Sequence, residues 1–333
     1  MTQPTISSDG NSLSRSWTLA SIGRGLLKRS WVGALIAAIL LWLLAGLVTG
    51  TLSISFLLAN ATIAGFLALA GTAQMAVIAS GPGNFDLSLP YVVTFGAYVM
   101  SAGLVGHDNI PASVALTLLV GIAAGVVNAA LIVRLRIPAI VATLATGYIL
   151  YSFIVAIQSG GFSRVGGLFE AALRLRFFGF SGVLAVAALT LVGVGFLLSR
   201  TVFGVQLHAL GQNGEAARLA GVRRGWLLLG AFVLSGVLAA WLGVLLAVYQ
   251  GGVSADLGRS YLLGSVAAVV IGGTRTTGGV TSVIGTAMGA LVLTLAQSDL
   301  ILLQFSIGAQ YIIQGSIVLA TVCFMAVRSR DRM

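Results

Sequence analysis

From Trp31 to Gly50 the chain carries no charged side chain, and runs of the same kind recur almost to the carboxyl terminus. About 20 consecutive apolar residues in helical form span the hydrocarbon core of a bilayer. Inside that core every backbone N–H and C=O must be satisfied within the segment, which a helix achieves and an open sheet does not. Only 8% of the 333 residues are charged and 58% are hydrophobic, against about 25% charged in a soluble domain. Such a chain cannot cover its surface in water. The fold class expected is therefore an all-α, polytopic transmembrane helix bundle.

Apolar runs between charges and Gly/Pro breaks place ten spans, near 31–50, 55–80, 88–106, 111–133, 138–158, 180–198, 226–249, 260–273, 279–297 and 303–327. Pro111 suits the first turn of the fourth, where its missing N–H is no loss. The eighth has only 14 residues, so a full crossing and a re-entrant or broken helix both remain open. Residues 1–30 and 328–333 form polar ends around a membrane domain over 31–327. Arg15, Arg24, Lys28 and Arg29 ahead of the first run imitate a secretory leader, and Ala59-Asn60-Ala61 loosely imitates a cleavage site. The run is too long for a leader's core and is read as an uncleaved first helix.

The formal charge of +10 invites a nucleic-acid reading, which would require cations gathered on a soluble face beside stacking aromatics. Here they punctuate apolar runs. With a cytoplasmic amino terminus, 14 of the 18 cations fall inside and only Arg164, Arg174, Arg176 and Arg259 fall outside. That asymmetry predicts both termini in the cytoplasm.

No polar interval is long enough for a soluble domain with its own core. The longest interior loop runs over 200–224, and the outer interval 160–178 suits a short interfacial helix. Glycines at four-residue spacing, Gly46 with Gly50, Gly121 with Gly125 and Gly285 with Gly289, let helix backbones approach closely in lipid. Gly272-Gly273-Thr274-Arg275-Thr276-Thr277-Gly278-Gly279 imitates a phosphate loop but lacks its Lys-Ser/Thr pair. It reads as a tight turn between helices, with no ATP hydrolysis, cofactor or metal expected in this chain. The histidines, His107 and His208, fall on opposite sides in this topology. Cys323 lies in the last apolar run and reads as a small packing residue. Asp86 and Asp299 are the principal acids near the spans, whereas proton-coupled carriers usually hold several intramembrane ionisable groups.

Ser80 to Pro90 interrupts an apolar region with Gly81, Pro82, Gly83, Asn84, Asp86, Ser88 and Pro90, so continuous helix is not expected there. A broken backbone at membrane depth can line a polar path, which makes Asn84, Asp86 and Ser88 candidate path residues. Asp86 can also cap the following helix by accepting a backbone N–H bond, and the two roles are compatible. In the long loop, Gly211-Gln-Asn-Gly-Glu-Ala-Ala-Arg-Leu-Ala-Gly-Val222 predicts a short helix capped by Asn213, with Glu215 in its first turn and Gly221 at its end. Ala216, Ala217, Leu219 and Ala220 give it a small apolar surface. It fits a partner's groove or an idle connector equally well.

Glu215-Ala216-Ala217 followed by Gly221 resembles the coupling loop of ABC importer permeases. Gly83-Asn-Phe-Asp-Leu-Ser-Leu89 is similar to the Gly-Ile-Asp-Leu-Ser-Val element of ribose-type sugar permeases. Ala267-Ala-Val-Val-Ile-Gly-Gly-Thr274 and Gly278-Gly-Val-Thr-Ser-Val-Ile-Gly-Thr-Ala-Met-Gly-Ala290 resemble that family's late block, as does Gly308-Ala-Gln-Tyr-Ile-Ile-Gln-Gly315 near the end. In this order the elements identify the chain as similar to that family from about residue 55 to 325. Gly214 stands where the family usually has Pro, and Tyr261-Leu-Leu-Gly264 replaces a more acidic stretch. The solute remains open among pentoses, hexoses, other sugars and autoinducer-2.

The resemblance implies a permease subunit without enzymatic activity of its own. Its implied partners are cytoplasmic ATP-binding subunits, a periplasmic solute-binding protein, and a second permease, either a copy or a homologue. Gly211, Asn213, Glu215, Ala216, Ala217 and Gly221 would form the ATPase-coupling loop. The rival from another class is a self-contained carrier driven by an ion gradient, which needs no such loop. A membrane-embedded enzyme lacks a catalytic cluster.

Overall fold

The structure, a computed structural model, describes residues 30–102, 109–158, 170–171, 173, 175–177 and 179–330. In chain order the elements are α1 (Ser30–Thr49), α2 (Ile54–Ala79), α3 (Leu89–Ser101), α4 (Ile110–Val133), α5 (Ala139–Ile157), β1 (Arg176–Phe177), β2 (Phe180–Ser181), α6 (Gly182–Arg200), α7 (Val202–Gln212), α8 (Gly214–Leu219), α9 (Arg224–Gln250), α10 (Ser260–Ile271), α11 (Val283–Leu302) and α12 (Ile307–Arg330). A helix stands at each of the ten expected places. Among the described residues seven of them, α1, α2, α4, α5, α6, α9 and α11, are long and apolar enough to cross a membrane. Helices α3 and α10 have 13 and 12 residues, roughly 18 to 20 Å at 1.5 Å per residue, well short of a core about 30 Å thick.

The polytopic helical bundle is thus as expected, apart from a two-residue hairpin in which Phe177 pairs Phe180 and Arg176 pairs Ser181. Most of the interval expected to hold an interfacial helix lies outside the described residues. So do residues 1–29, His107, and the tail beyond Arg330.

Helix starts follow their sequence signals. Ser53 accepts from the N–H of Phe56 (3.1 Å), Ser181 from Leu184 (3.2 Å) and Ser282 from Gly285 (3.0 Å), each satisfying an orphan first-turn donor. Pro111 occupies the first turn of α4 as expected, and Asn109 caps it.

Helices α2 and α9 are the buried centre, enclosed from Ala64 to Ala79 and from Ala231 to Val248 along most of their lengths. Helices apolar all round are the ones that bury this way. Helix α9 packs on α4, α3 and α2, while α11 packs on α1, α2 and α10, so α2 joins the two groups. The seams use the spaced glycines. A Cβ on Gly121 would strike the Gly236 carbonyl, and one on Gly125 the Phe232 carbonyl, so α4 and α9 touch backbone to backbone. Gly285 and Gly289 likewise face the Gly272 and Ala268 carbonyls across the α10–α11 seam. The Gly46/Gly50 pair differs. Gly46 makes room for Leu52, and Gly50, at φ +73°, turns the chain out of α1, so this spacing serves a turn instead of a seam.

The two short helices begin inside the bundle. Gly147, ninth of the 19 residues of α5, lies against Ser88 and Tyr91, which puts the start of α3 beside the middle of a long helix. The connector from α9 to α10 returns to this point: the Gly258 N–H donates to Thr94 Oγ1 at 2.9 Å. The segments 80–88 and 251–259 thus supply non-helical chain at depth, with Asp86, Ser88, Leu257 and Gly258 buried against protein, as non-helical backbone in a bilayer requires.

Candidate functional site

The break between α2 and α3 is built around Asp86, which is 2% exposed. Its Oδ1 accepts from the Ser88 N–H at 3.0 Å and from Ser88 Oγ, and its Oδ2 accepts from Ser235 Oγ of α9 at 2.7 Å. Asn128 of α4 donates to Ser88 Oγ at 2.8 Å. Thr143 of α5 accepts from the Leu87 N–H at 3.0 Å. With its amide turned so that both ends are satisfied, Gln74 of α2 brackets the Asp86 backbone, donating to its carbonyl at 3.1 Å and accepting from its N–H at 3.2 Å. Among the described residues Asp86 has no cationic partner, so hydroxyl and amide dipoles alone stabilise it. Four helices are therefore fastened to nine residues of broken chain. Gly81 and Gly83, at φ +142° and +78°, adopt backbone angles other residues rarely reach.

The bond from the Ser88 N–H to Asp86 closes a turn just ahead of α3, and Ser88 itself makes no side-chain cap. Asn84 is half-buried and donates to Ser80 Oγ at 2.8 Å. Of the three sequence candidates, Asp86 and Ser88 face the packed interior and Asn84 lies nearer its edge.

At the end of the bundle where α2 finishes, α7 and α8 form a helix pair. Asn213 Oδ1 accepts from the N–H groups of Glu215 (3.1 Å) and Ala216 (3.0 Å). Gly221, at φ +80°, ends the helix with bonds from the Gly221 N–H to Arg218 and from the Val222 N–H to Ala217, both 3.0 Å, the paired closure of a Schellman turn. Ala217 is buried, whereas Glu215, Ala216, Leu219 and Ala220 are exposed, Leu219 by 76%. Glu215 and Arg218 pair on the surface. The Arg218 guanidinium holds the Glu215 carboxyl below its ordinary range, so this surface carries both charges at neutral pH.

The same pair is tied into the bundle. Gly211 packs so closely on the Ala79 carbonyl and the Gly279 N–H that no Cβ would fit. Gln212 Nε2 donates to the Gly279 carbonyl at 3.0 Å, the Gly279 N–H donates to the Ala79 carbonyl at 3.1 Å, and His208 shares a 2.8 Å hydrogen bond with Thr281. Burial lowers the His208 pKa below the ordinary 6.5. The glycine-rich turn 272–279 is thus the seat of the α7–α8 pair, and Ala79 leads directly into the break that holds Asp86.

Sequence reasoning found Asp86 and Asn213 but missed Gln74, Asn128, Ser235, His208, Gln212 and Thr281. Gln74 and Asn128 were findable as lone amides in apolar runs. Ser235 gave no signal, because serine is common in membrane helices. Among the described residues no three His, Cys, Asp or Glu side chains gather as a metal site.

The family described as branched-chain amino acid transport system permease component matches residues 53–322. The autoinducer 2 import system permease protein LsrC of Shigella flexneri is 32% identical over 300 residues, covering 88% of this chain and 86% of that protein. LsrC of Photorhabdus luminescens is 32% identical over 244 residues, 72% of this chain and 73% of the relative. The L-arabinose ABC transporter permease protein AraH of Azospirillum brasilense is 33% identical over 285 residues, 84% and 81% respectively. No solved structure matches the chain significantly. The resemblance to sugar-type ABC permeases read from the motifs is borne out.

Proposed function

Because this chain belongs to the family of branched-chain amino acid transport system permease components, we propose that it is the membrane subunit of an ATP-driven importer for a sugar or sugar-like solute. Its relatives named for autoinducer 2 and L-arabinose support that solute class. The partners in this reading are two cytoplasmic ATP-binding chains, a periplasmic solute-binding protein and a second permease, either a copy or a homologue. The protein sits in a bacterial inner membrane with both termini in the cytoplasm, on the side favoured by the cation asymmetry.

One observation carries the reading: a capped helix pair exposes Glu215, Ala216 and Leu219 at its tip while Gln212 and His208 hold its base to the turn 272–282. A short helix presenting small apolar residues and one charge fits a partner's groove. Force applied at α8 reaches the end of α2, and through it the Asp86 network, without crossing solvent. Asn84, Asp86 and Ser88 belong to the moving frame of the path in this account.

Tagged permease co-expressed with its genomic neighbours and purified in detergent tests the proposal. A nucleotide-binding chain co-purifies, and reconstituted vesicles take up labelled L-arabinose or autoinducer 2 only with ATP inside the compartment facing α8. Uptake by the permease alone, abolished by an ionophore, would overturn it.

A further inference from the structure

Three tyrosines share one face of the bundle. The Tyr91 ring of α3 lies 5.9 Å from that of Tyr148 and 5.9 Å from that of Tyr151, both on α5. Tyr148 is 56% exposed and Tyr151 36%. Tyrosines of membrane helices normally stand at the headgroup level. Tyr148 does not: nine residues separate it from each end of Ala139–Ile157, about 14 Å either way at 1.5 Å per residue. Among the described residues none of the three hydroxyls is hydrogen-bonded. Facing hydrocarbon, each would be an unsatisfied polar group.

Charge stands on the same face. Arg259 and Asp256 pair at 3.6 Å on the connector from α9 to α10, with side chains 84% and 69% exposed. Gly258 is pressed against the Pro90 carbonyl and bonded to Thr94, which sets Arg259 at the amino-terminal end of α3, where Tyr91 lies. By contrast, the exposed face of α6 presents Leu189, Val192 and Phe196, as a lipid-facing helix does.

We infer that Tyr91, Tyr148, Tyr151 and Arg259 form a water-lined wall of the translocation path, and that they bind a small polyhydroxylated ring compound there. Such a ring presents C–H faces that stack on aromatics and rim hydroxyls that pair with phenols and a guanidinium. The N-terminal ends of α3 and α10, which meet at this point, add positive potential toward solute oxygens. The inference rests on the permease reading above.

Its test uses the whole transporter, with ATP-binding chains and binding protein, in a Cys323→Ser background. Tyr148→Cys, Tyr151→Cys and the control Leu189→Cys are exposed to a positively charged methanethiosulfonate reagent, without nucleotide and with ATP plus vanadate. Both tyrosine positions react at least tenfold faster than position 189 in one of the two states. In uptake of a panel of labelled pentoses and hexoses, Tyr148→Leu and Tyr151→Leu raise KM tenfold or more, and Tyr→Phe variants less. Labelling no faster than at position 189, in transporter that purifies intact with its ATP-binding chains, would overturn the wall and leave the permease reading intact. Leucine variants with unchanged KM, or a wild type that carries none of the sugars, overturn the solute class. Absence of ATP-dependent uptake of any solute, autoinducer 2 included, overturns the permease reading itself.

Discussion

Gln212, the last residue of α7, holds the Gly279 carbonyl at 3.0 Å, and no Cβ could be added to Gly279 without striking it. The contact joins the proposed ATPase-coupling pair to the turn between α10 and α11.

Replacing Gln212 with Ala removes one partly buried hydrogen bond, worth about 0.5–1.5 kcal/mol, and leaves the exposed surface of α8 untouched. Association with the ATP-binding chains is therefore expected at wild-type level, while solute-stimulated ATP turnover and uptake fall severalfold. Gly279→Ala should do the same with a larger loss of stability, because its φ of +77° costs an L-residue about 1–2 kcal/mol. Parallel co-purification and turnover assays check both; full coupling in Gln212→Ala would remove it from the linkage.

Asp86→Asn and Asp86→Ala separate charge from hydrogen bonding. Asparagine retains an acceptor for Ser88, and the Ser235 hydroxyl can turn to accept from its amide. A modest fall in thermal midpoint with uptake retained is expected. Alanine leaves Ser88 and Ser235 buried without their acceptor, at about 1–3 kcal/mol for each group, and should lower the yield of folded protein. If asparagine abolishes uptake at normal expression and stability, the carboxylate charge itself is required.

His208 gives a pH dependence of known sign. Burial disfavours its imidazolium, so the native state binds a proton less readily than the unfolded chain, whose histidine titrates near 6.5. The contribution is full above about pH 6.5 and declines as pH falls from there toward the lowered native value. Melting temperatures at pH 7.5 and pH 5.5 should differ less in His208→Asn than in wild type. An unchanged difference would show that other groups carry it.

Two glycines in spanning helices should respond oppositely to alanine. Gly125 of α4 abuts the Phe232 carbonyl, and Gly193 of α6 faces open space. Gly125→Ala overpacks the seam and is expected to cost roughly 1–3 kcal/mol, whereas Gly193→Ala gains helix propensity worth up to about 1 kcal/mol. Fluorescence-detected size exclusion after heating measures both. Equal behaviour would mean that the α4–α9 seam can open without penalty.

The long helices were legible because apolar runs report their length directly, and the α8 caps because Asn213 and Gly221 are local signals. Depth was not legible. Ser80 to Pro90 reads as a break, but only tertiary packing shows that α3 then starts beside Gly147, and that Gly258 returns to the same place. Hence, of the ten apolar runs, two became the short helices α3 and α10, since period and hydropathy say nothing of how far chain re-enters a bundle. The Gly46/Gly50 spacing misled for a related reason: identical spacing serves a helix seam or a turn, according to which residue lies across from it. Ser235 needed the fold, because its partner Asp86 is 149 positions away.

In the proposed importer, ATP hydrolysis acts on this chain at α8. Glu215→Lys reverses charge in the first turn of α8 and breaks the pair with Arg218, a change confined to a solvent-exposed surface that leaves the bundle folded. The decisive measurement is co-purification of the ATP-binding chain with wild-type and Glu215→Lys permease, together with solute-stimulated ATP turnover in proteoliposomes. A folded variant that has lost most association and most stimulated turnover is expected. A variant with full association and full stimulated turnover would contradict it and leave α8 a surface connector.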